Sequence, residues 1–81
     1  MKDRIIEIIE EISNRTDLKN NPNIDLLDSD IIDSLTFIEL ISALEDEFDI
    51  EIQPTQIPAD TWRNIESITN MVEDKILKNH S

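Results

Sequence analysis

The sequence repeats apolar residues at the spacing of an α-helix in three separate segments, and this pattern favours a helical fold over any other. In the first segment the repeat consists of Ile5, Ile8, Ile9 and Ile12. These positions correspond to i, i+3, i+4 and i+7, which line one face of an amphipathic helix. The pattern predicts a first helix over about residues 2–15.

The second segment follows Asp33 and carries its apolar stripe at i, i+4, i+7 and i+11. The stripe consists of Phe37, Ile41, Leu44 and Phe48, and Ile38 and Leu40 are expected to widen it. Asp33 precedes the stripe as a good N-cap, because its carboxylate suits the positive end of a helix. We predict a second helix over about residues 34–47.

The third segment begins after Asn64, a suitable cap, and predicts a last helix that ends near Lys78. Its inward residues are Ile65, Ile68, Met71 or Val72, and Ile76. Between the second and third segments, DIEIQP alternates like a strand but has no partner strand, so we interpret it as an extended connector. Pro54 and Pro58 then bracket a short turn of helix or a loop that ends near Trp62.

Residues 16–33 form a long loop, and a loop of this length in a small domain is usually functional. Its apolar residues are expected to hold it against the core; they are Ile24, Leu26, Leu27, Ile31 and Ile32. The sequence has no glycine, so its turns must use Asn, Asp and Pro. Together these features predict an all-α fold, a small four-helix bundle with three longer helices and one short one. We expect one domain over residues 1–81 with a flexible tail at about 78–81.

Charge and composition exclude several classes of function. The formal net charge of −12 disfavours nucleic acids and anionic membranes as partners. Cysteine is absent, so disulfides and thiolate sites are excluded. No segment resembles a signal peptide or reaches the roughly 20 apolar residues that a membrane span needs. We therefore expect a soluble, cytoplasmic and monomeric protein.

Acidic residues are concentrated in the middle of the chain. Between Lys19 and Arg63 there are eleven acids and no basic residue. This segment is either a docking surface for basic partners or a solvated face that keeps the protein soluble. In either case, crowding of like charges is expected to raise the pKa of several of these carboxyls in the folded state.

Ser34 is the candidate functional residue, since it stands where the long loop becomes the second helix, in DSDIIDSLTFIEL. A nucleophilic serine needs a base, and the only histidine, His80, lies near the end of the chain. Hydrolysis by Ser34 is therefore not expected. Ser34 could simply open the helix, but Asp33 already serves as the cap and leaves the Ser34 hydroxyl free to point outward.

A calcium loop is the alternative from another functional class. Residues Asp28, Asp30, Thr36 and Glu39 fall at positions 1, 3, 9 and 12 of an EF-hand loop. Ile32 at position 5 has no side-chain oxygen, and Asp33 occupies position 6, where the turn requires glycine. A small acidic calcium-binding protein remains an alternative on this basis, although a specific calcium site is disfavoured.

Asp33-Ser34-Leu35 followed by TFIELISALEDEFDIEI resembles the acyl and peptidyl carrier proteins, and the resemblance covers nearly the whole chain. It implies a non-catalytic carrier whose Ser34 receives 4′-phosphopantetheine from coenzyme A through a phosphopantetheinyl transferase. Asp33 matches the aspartate that helps hold the metal used during attachment, although we expect no resident metal site. The cofactor then supplies the thiol that carries an acyl or aminoacyl thioester, which a cysteine-free chain cannot supply itself.

The resemblance also implies a partner-binding surface. Its positions match Leu35, Glu39, Ser42, Glu45 and Asp46 on the second helix, together with Ile52, an apolar residue that flanks the arm. The implied partners are a cargo-loading ligase or acyltransferase and a downstream transferase or synthase. IIDSL and PTQIPADTWRNIESI resemble stand-alone carriers such as the D-alanyl carriers more than fatty-acyl or polyketide carriers. A phosphodiester on Ser34 is expected to face unpaired N–H groups at the helix N-terminus.

Overall fold

A computed structural model of the protein describes residues 1–79, and these residues contain three α-helices and no β-strand. The helices are α1 (Lys2–Ser13), α2 (Ser34–Phe48) and α3 (Ile65–Asn79). Short 3₁₀ helices lie in the connections, at Leu18–Asn20, Pro54–Gln56 and Ala59–Arg63. The prediction of an all-α fold is confirmed, and the short fourth element is a 3₁₀ helix. In the segment predicted to be a flexible tail, residues 78 and 79 belong to α3, whereas His80 and Ser81 lie outside the described residues.

Helix α1 ends two residues earlier than its apolar repeat predicts, because Asn14 leaves the helical conformation. Asn14 has φ 58° and ψ 37°, the left-handed conformation, and its N–H donates to the carbonyl of Glu10. Asparagine tolerates this conformation better than most residues other than glycine. Ile5, Ile8 and Ile9 are buried as expected.

Helix α2 buries Leu40 and Leu44, while Phe37, Ile41 and Phe48 are only half-buried at the edges of the same face. The prediction that Ile38 widens this face is wrong, because its side chain is 66% exposed. Successive residues of a helix are separated by about 100° around its axis, so Ile38 lies well away from the stripe that contains Phe37.

The long loop is part of the core, as predicted. Leu18, Leu26, Ile31 and Ile32 are buried together with α1, α2 and α3 in one apolar cluster. The Leu26 N–H donates to the carbonyl of Arg63 at 2.6 Å, and the Ile32 N–H donates to the carbonyl of Leu26 at 3.0 Å. The loop is therefore joined by its backbone to the 3₁₀ helix before α3.

The segment after α2 is an extended connector, which confirms that interpretation of DIEIQP. Ile50 and Ile52 are buried, and the Ile52 N–H donates to the Glu45 carboxylate at 2.9 Å. Trp62 is 4% exposed, and its ring meets Phe37 edge-to-face with ring centroids 5.0 Å apart. This aromatic pair connects the 3₁₀ helix Ala59–Arg63 to the N-terminal half of α2.

Replacement of Leu26 by alanine tests whether the loop belongs to the core. Leu26 is fully buried, so Leu26→Ala is expected to lower the free energy of unfolding by about 2–5 kcal/mol. Leu77 is 71% exposed, and Leu77→Ala should change the free energy of unfolding by no more than about 0.5 kcal/mol. Urea unfolding of both variants measures the difference, and equal, small effects would show that the loop does not contribute to the core.

Candidate functional site

Ser34 is the first residue of α2, and its side chain is exposed. Asp33 is the N-cap, as predicted: one carboxylate oxygen accepts the N–H groups of Leu35 at 3.1 Å and Thr36 at 2.9 Å. Within residues 1–79 the Ser34 hydroxyl has no hydrogen-bond partner. The cap is therefore provided by Asp33, and the Ser34 hydroxyl is available for chemistry with a second molecule.

The expectation that unpaired backbone N–H groups face Ser34 is wrong for the N–H groups of Leu35 and Thr36. The Asp33 carboxylate already accepts two of them, and the Phe37 N–H donates to the Asp33 carbonyl at 2.8 Å. A phosphodiester on Ser34 would therefore lie beside a carboxylate and gain mainly from the helix dipole. This charge arrangement suits a site where a cation accompanies the phosphate during attachment.

Arg63 holds the loop that precedes Ser34. Its guanidinium donates to Asp25 at 3.1 Å, to Asp28 at 3.4 Å and to Asp60 at 3.0 Å. The other oxygen of the Asp25 carboxylate accepts the N–H groups of Leu27 at 3.0 Å and Asp28 at 2.9 Å. Three acids of the middle segment therefore share one arginine, and one of them also organises the loop backbone.

These contacts reverse the expectation for the carboxyl pKa values. Hydrogen bonds from the Thr36 backbone and side chain hold the pKa of Asp33 below its ordinary value. The Asp28 backbone N–H, followed by Arg63, likewise lowers the pKa of Asp25. The prediction that crowding raises such pKa values is wrong for these two acids, because hydrogen bonds to the ionised form outweigh the desolvation that opposes them.

An apolar groove of about 390 Å³ lies directly beside Ser34. It is lined by Leu27, Ile32, Asp33, Ser34, Phe37, Ala59 and Trp62. The long loop, the start of α2 and the 3₁₀ helix Ala59–Arg63 each provide part of the lining. Sequence reasoning placed Phe37 and Trp62 in the core and did not foresee a groove above them, since only the long-range packing of the loop creates it.

Most of the residues predicted to bind partners lie on one exposed face of α2. We define this outer face of α2 by Leu35, Ile38, Glu39, Ser42 and Asp46, all of which are exposed. Leu35 is 68% exposed, and Ile38 was missed because it was assigned to the core. Ile38 lies about 100° around the helix axis from Phe37 in the buried stripe, and this angle would have identified Ile38 as an exposed residue.

Two other predicted partner residues are placed differently. Glu45 is half-buried and accepts the backbone N–H of Ile52, so its carboxylate braces the connector after α2. Ile52 is buried, and it is not part of the lining of the groove beside Ser34. Contact of either residue with a partner stays a prediction.

The arrangement at Asp28 to Glu39 does not form a calcium loop. Helix α2 already begins at Ser34, and Asp33 is engaged as its cap. Among residues 1–79, no three Asp, Glu or His side chains come close enough together to hold a metal ion. The calcium-binding alternative therefore has no support in the part of the chain that the structure describes.

Comparison with known proteins connects this geometry to a family. Residues 3–72 match the family model described as the phosphopantetheine attachment site. The chain belongs to the phosphopantetheine-attachment family. Membership confirms the interpretation of the chain as a carrier protein with covalent 4′-phosphopantetheine as its cofactor. An exposed serine at a helix start, with solvent on one side and an apolar groove on the other, fits that group.

Relatives of the chain include D-alanyl carrier proteins. One from Lactococcus lactis subsp. cremoris (strain MG1363) is 34% identical over 79 residues, covering 98% of this chain and all of the relative. One from Bacillus subtilis (strain 168) is 27% identical over 73 residues, with 90% and 94% of the two chains covered.

Among solved structures, a holo acyl carrier protein from Nitrosomonas europaea superposes with a TM-score of 0.79 at 25% identity. The superposition covers 94% of this chain and 95% of the other. In residues 1–79, no helix has the length and apolar character needed to cross a membrane.

The lowered pKa of Asp25 predicts how stability depends on pH. Because the folded state favours the ionised carboxylate, the contribution of Asp25 is fully present above its ordinary pKa of 3.8. This contribution is lost as the pH falls through the lower folded-state value. Asp25→Asn should therefore be less stable than the wild type at pH 7, and the difference should shrink near pH 3 in urea unfolding.

Asp46→Asn is the control for this experiment, since Asp46 is exposed on the outer face of α2 and should matter little for stability at pH 7. If Asp25→Asn lost as much stability at pH 3 as at pH 7, the stabilising effect of Asp25 would not depend on its charge.

Proposed function

We propose that Ser34 is the attachment residue and that the chain carries an aminoacyl group, most plainly D-alanine, as a thioester on 4′-phosphopantetheine. The observation that carries the proposal is the exposed Ser34 hydroxyl at the start of α2, left free because Asp33 is the cap. It lies inside the segment that matches the phosphopantetheine attachment family.

The choice of cargo depends on the relatives. Several carriers at 27–34% identity over nearly the full length are named D-alanyl carrier proteins. The superposed structure belongs to an acyl carrier protein and favours only the broader class. An amino-acid cargo is therefore preferred over a fatty-acyl or polyketide cargo.

Attachment uses one bond of coenzyme A and one atom of this chain. The Ser34 oxygen attacks the phosphorus that bears pantetheine, an O–P bond forms, and the pyrophosphate bond to the nucleotide half breaks. The hydroxyl proton passes to a base of the transferase, and adenosine 3′,5′-bisphosphate leaves. Asp33 orients the start of α2, and its carboxylate would help hold a cation that balances the charge of the incoming phosphates. When bound, the cofactor supplies the thiol that holds the cargo as a thioester.

The chain itself presents the cargo, and its partners perform the chemistry. The proposed partners are a phosphopantetheinyl transferase, a loading ligase and a downstream transferase. We assign their contacts to the outer face of α2, where Leu35 and Ile38 form an apolar pair next to Glu39 and Asp46. Charges at such a rim mainly raise association rates. The monomeric state and the cytoplasmic location stay predictions.

Ser34→Ala tests the attachment residue. Incubation with coenzyme A, Mg²⁺ and a broad-specificity phosphopantetheinyl transferase should add one phosphopantetheine to the wild type and none to this variant, as measured by intact-protein mass. The variant should keep its helical circular dichroism, because Asp33 retains the cap. Ser42→Ala, an exposed serine on the same helix, should still take one group. Modification of the Ser34→Ala variant would refute the site.

The acids of α2 should differ in role: Glu39 and Asp46 should attract partners, whereas Glu45 should stabilise the fold. Glu39→Gln combined with Asp46→Asn should slow attachment by the transferase at low salt, and added salt should bring the wild-type rate close to that of the variant. The free energy of unfolding of this double variant should be nearly the same as that of the wild type. Glu45→Ala should instead lower the free energy of unfolding by about 1–3 kcal/mol, because the Ile52 N–H loses its acceptor.

The rate of phosphopantetheine attachment measures the contribution of an acid to partner binding, and urea unfolding of the same samples measures its contribution to stability. If the double variant loaded at the wild-type rate at every salt concentration, the outer face of α2 would be a solubility surface and the partner-binding assignment would be wrong.

A further inference from the structure

Arg63 connects the long loop to the 3₁₀ helix before α3. Its Nη1 donates to Asp25 at 3.1 Å and to Asp28 at 3.4 Å, which lie 38 and 35 residues earlier in the sequence, and its Nε donates to Asp60 at 3.0 Å. Its carbonyl oxygen accepts the Leu26 N–H at 2.6 Å. The side chain and the backbone of one residue therefore hold the same part of the loop.

The part of the loop that Arg63 holds is a closed turn that leads directly to Asp33. The carbonyl of Leu26, the residue after Asp25, accepts the Ile32 N–H at 3.0 Å, so the two ends of the turn are joined. Ile32 is 5% exposed and packed in the core, and Asp33 follows it. Because packed segments transmit a displacement instead of absorbing it, a shift at Asp25 is expected to reach Asp33.

This part of the chain supplies no substitute for the charge of Arg63. Between Lys19 and Arg63 the sequence has eleven acids and no basic residue. Asp25 and Asp28 bond the same guanidinium nitrogen, so a neutral residue at position 63 would leave two carboxylates close together without their counter-charge. A lysine would restore the charge, but it is a point charge and lacks the planar fork with which a guanidinium bonds several carboxylates at once.

We propose that Arg63 is a positioning residue for phosphopantetheine attachment, an inference that rests on the proposed attachment at Ser34. Arg63 holds the turn that begins at Asp25 and thereby fixes the direction in which Asp33 enters α2. Asp33 in turn forms the cap that leaves the Ser34 hydroxyl uncommitted. The effect of Arg63 on the reaction passes through Asp33, and a misplacement of about 1 Å can lower the rate of a reaction by about a hundredfold.

The kinetics of attachment separate positioning from partner binding. The contacts assigned to partners lie on the outer face of α2 and do not include Arg63. With a broad-specificity phosphopantetheinyl transferase, Arg63→Gln should therefore lower kcat about tenfold and leave the KM for the carrier within about twofold of the wild-type value. Arg63→Lys should give an intermediate kcat. Urea unfolding verifies that each variant is folded at the assay temperature.

Asp60→Asn is the matched control. The Asp60 side chain is 89% exposed, and its contact with Arg63 lies within one 3₁₀ helix, so its loss leaves the bridge to the loop intact. Both kinetic constants of this variant should equal those of the wild type.

Asp25→Asn tests the same bridge from the loop and serves if Arg63→Gln does not fold. The amide keeps an oxygen for the N–H groups of Leu27 and Asp28 but loses the negative oxygen that binds Arg63. It should lower kcat with KM unchanged, and it should add little to the effect of Arg63→Gln when the two are combined, because both substitutions break one contact.

The amide resonances of the cap give a readout that needs no transferase. Asp33 accepts the N–H groups of Leu35 and Thr36, so Arg63→Gln should shift these two resonances in ¹⁵N-labelled protein, whereas Asp60→Asn should leave them in place. If Arg63 served stability alone, Arg63→Gln would lower the midpoint of urea unfolding and change neither kcat nor these resonances.

The possible failures are distinct. A wild-type kcat in Arg63→Gln, unchanged Leu35 and Thr36 resonances, or a raised KM with an unchanged kcat would each overturn the positioning role and leave attachment at Ser34 standing. Absence of attachment at Ser34 in the wild type would overturn the proposed function and this inference with it.

Discussion

The hydrogen bonds from Leu35 and Thr36 to the Asp33 carboxylate are the interaction on which the site depends. A serine at the start of a helix commonly uses its own hydroxyl to satisfy these N–H groups, and would then be engaged. Here the residue before it takes that role. Ser34 can consequently lie in the first turn, held rigidly by the helix, with its hydroxyl uncommitted. If Ser34 is the attachment residue, as proposed, helix initiation and group attachment belong to two adjacent residues, and modification of Ser34 leaves the cap at Asp33 in place.

This division requires the loop to deliver Asp33 in one orientation, and a chain without glycine must do so by other means. Asp30 has φ 58°, a left-handed conformation three residues before the cap, and Asn14 and Asp49 have the same conformation after α1 and α2. Short polar side chains tolerate it because they can hydrogen-bond locally. This turn therefore adopts a positive φ at Asp30 without a glycine. The Leu26–Arg63 hydrogen bond then fixes the loop against the 3₁₀ helix.

The fold was predictable from the sequence because each helix carries an apolar repeat that only the helical period explains. Particular positions were not. The end of α1 depends on the backbone angles of Asn14, which no periodicity encodes. Ile38 was misplaced because an apolar residue next to a stripe was assumed to belong to it, whereas its angle around the axis puts it outside. The groove beside Ser34 joins three segments distant in sequence, so only tertiary packing could reveal it.

The acidic composition has a structural cause as well as a possible role in recognition. Four carboxylates accept backbone N–H groups at places where the helices and loops end: Glu10 from Leu18, Asp25 in the long loop, Asp33 at α2, and Glu45 from Ile52. Each satisfies donors that a turn would otherwise leave unpaired. Part of the acidic composition therefore serves the backbone of this chain. An acid that is bonded to the backbone is held in one orientation and has only part of its carboxylate left for a partner's cation, whereas Glu39 and Asp46 can turn toward a partner with both oxygens. Recognition by charge should therefore be concentrated on the outer face of α2, next to Ser34, the proposed attachment residue.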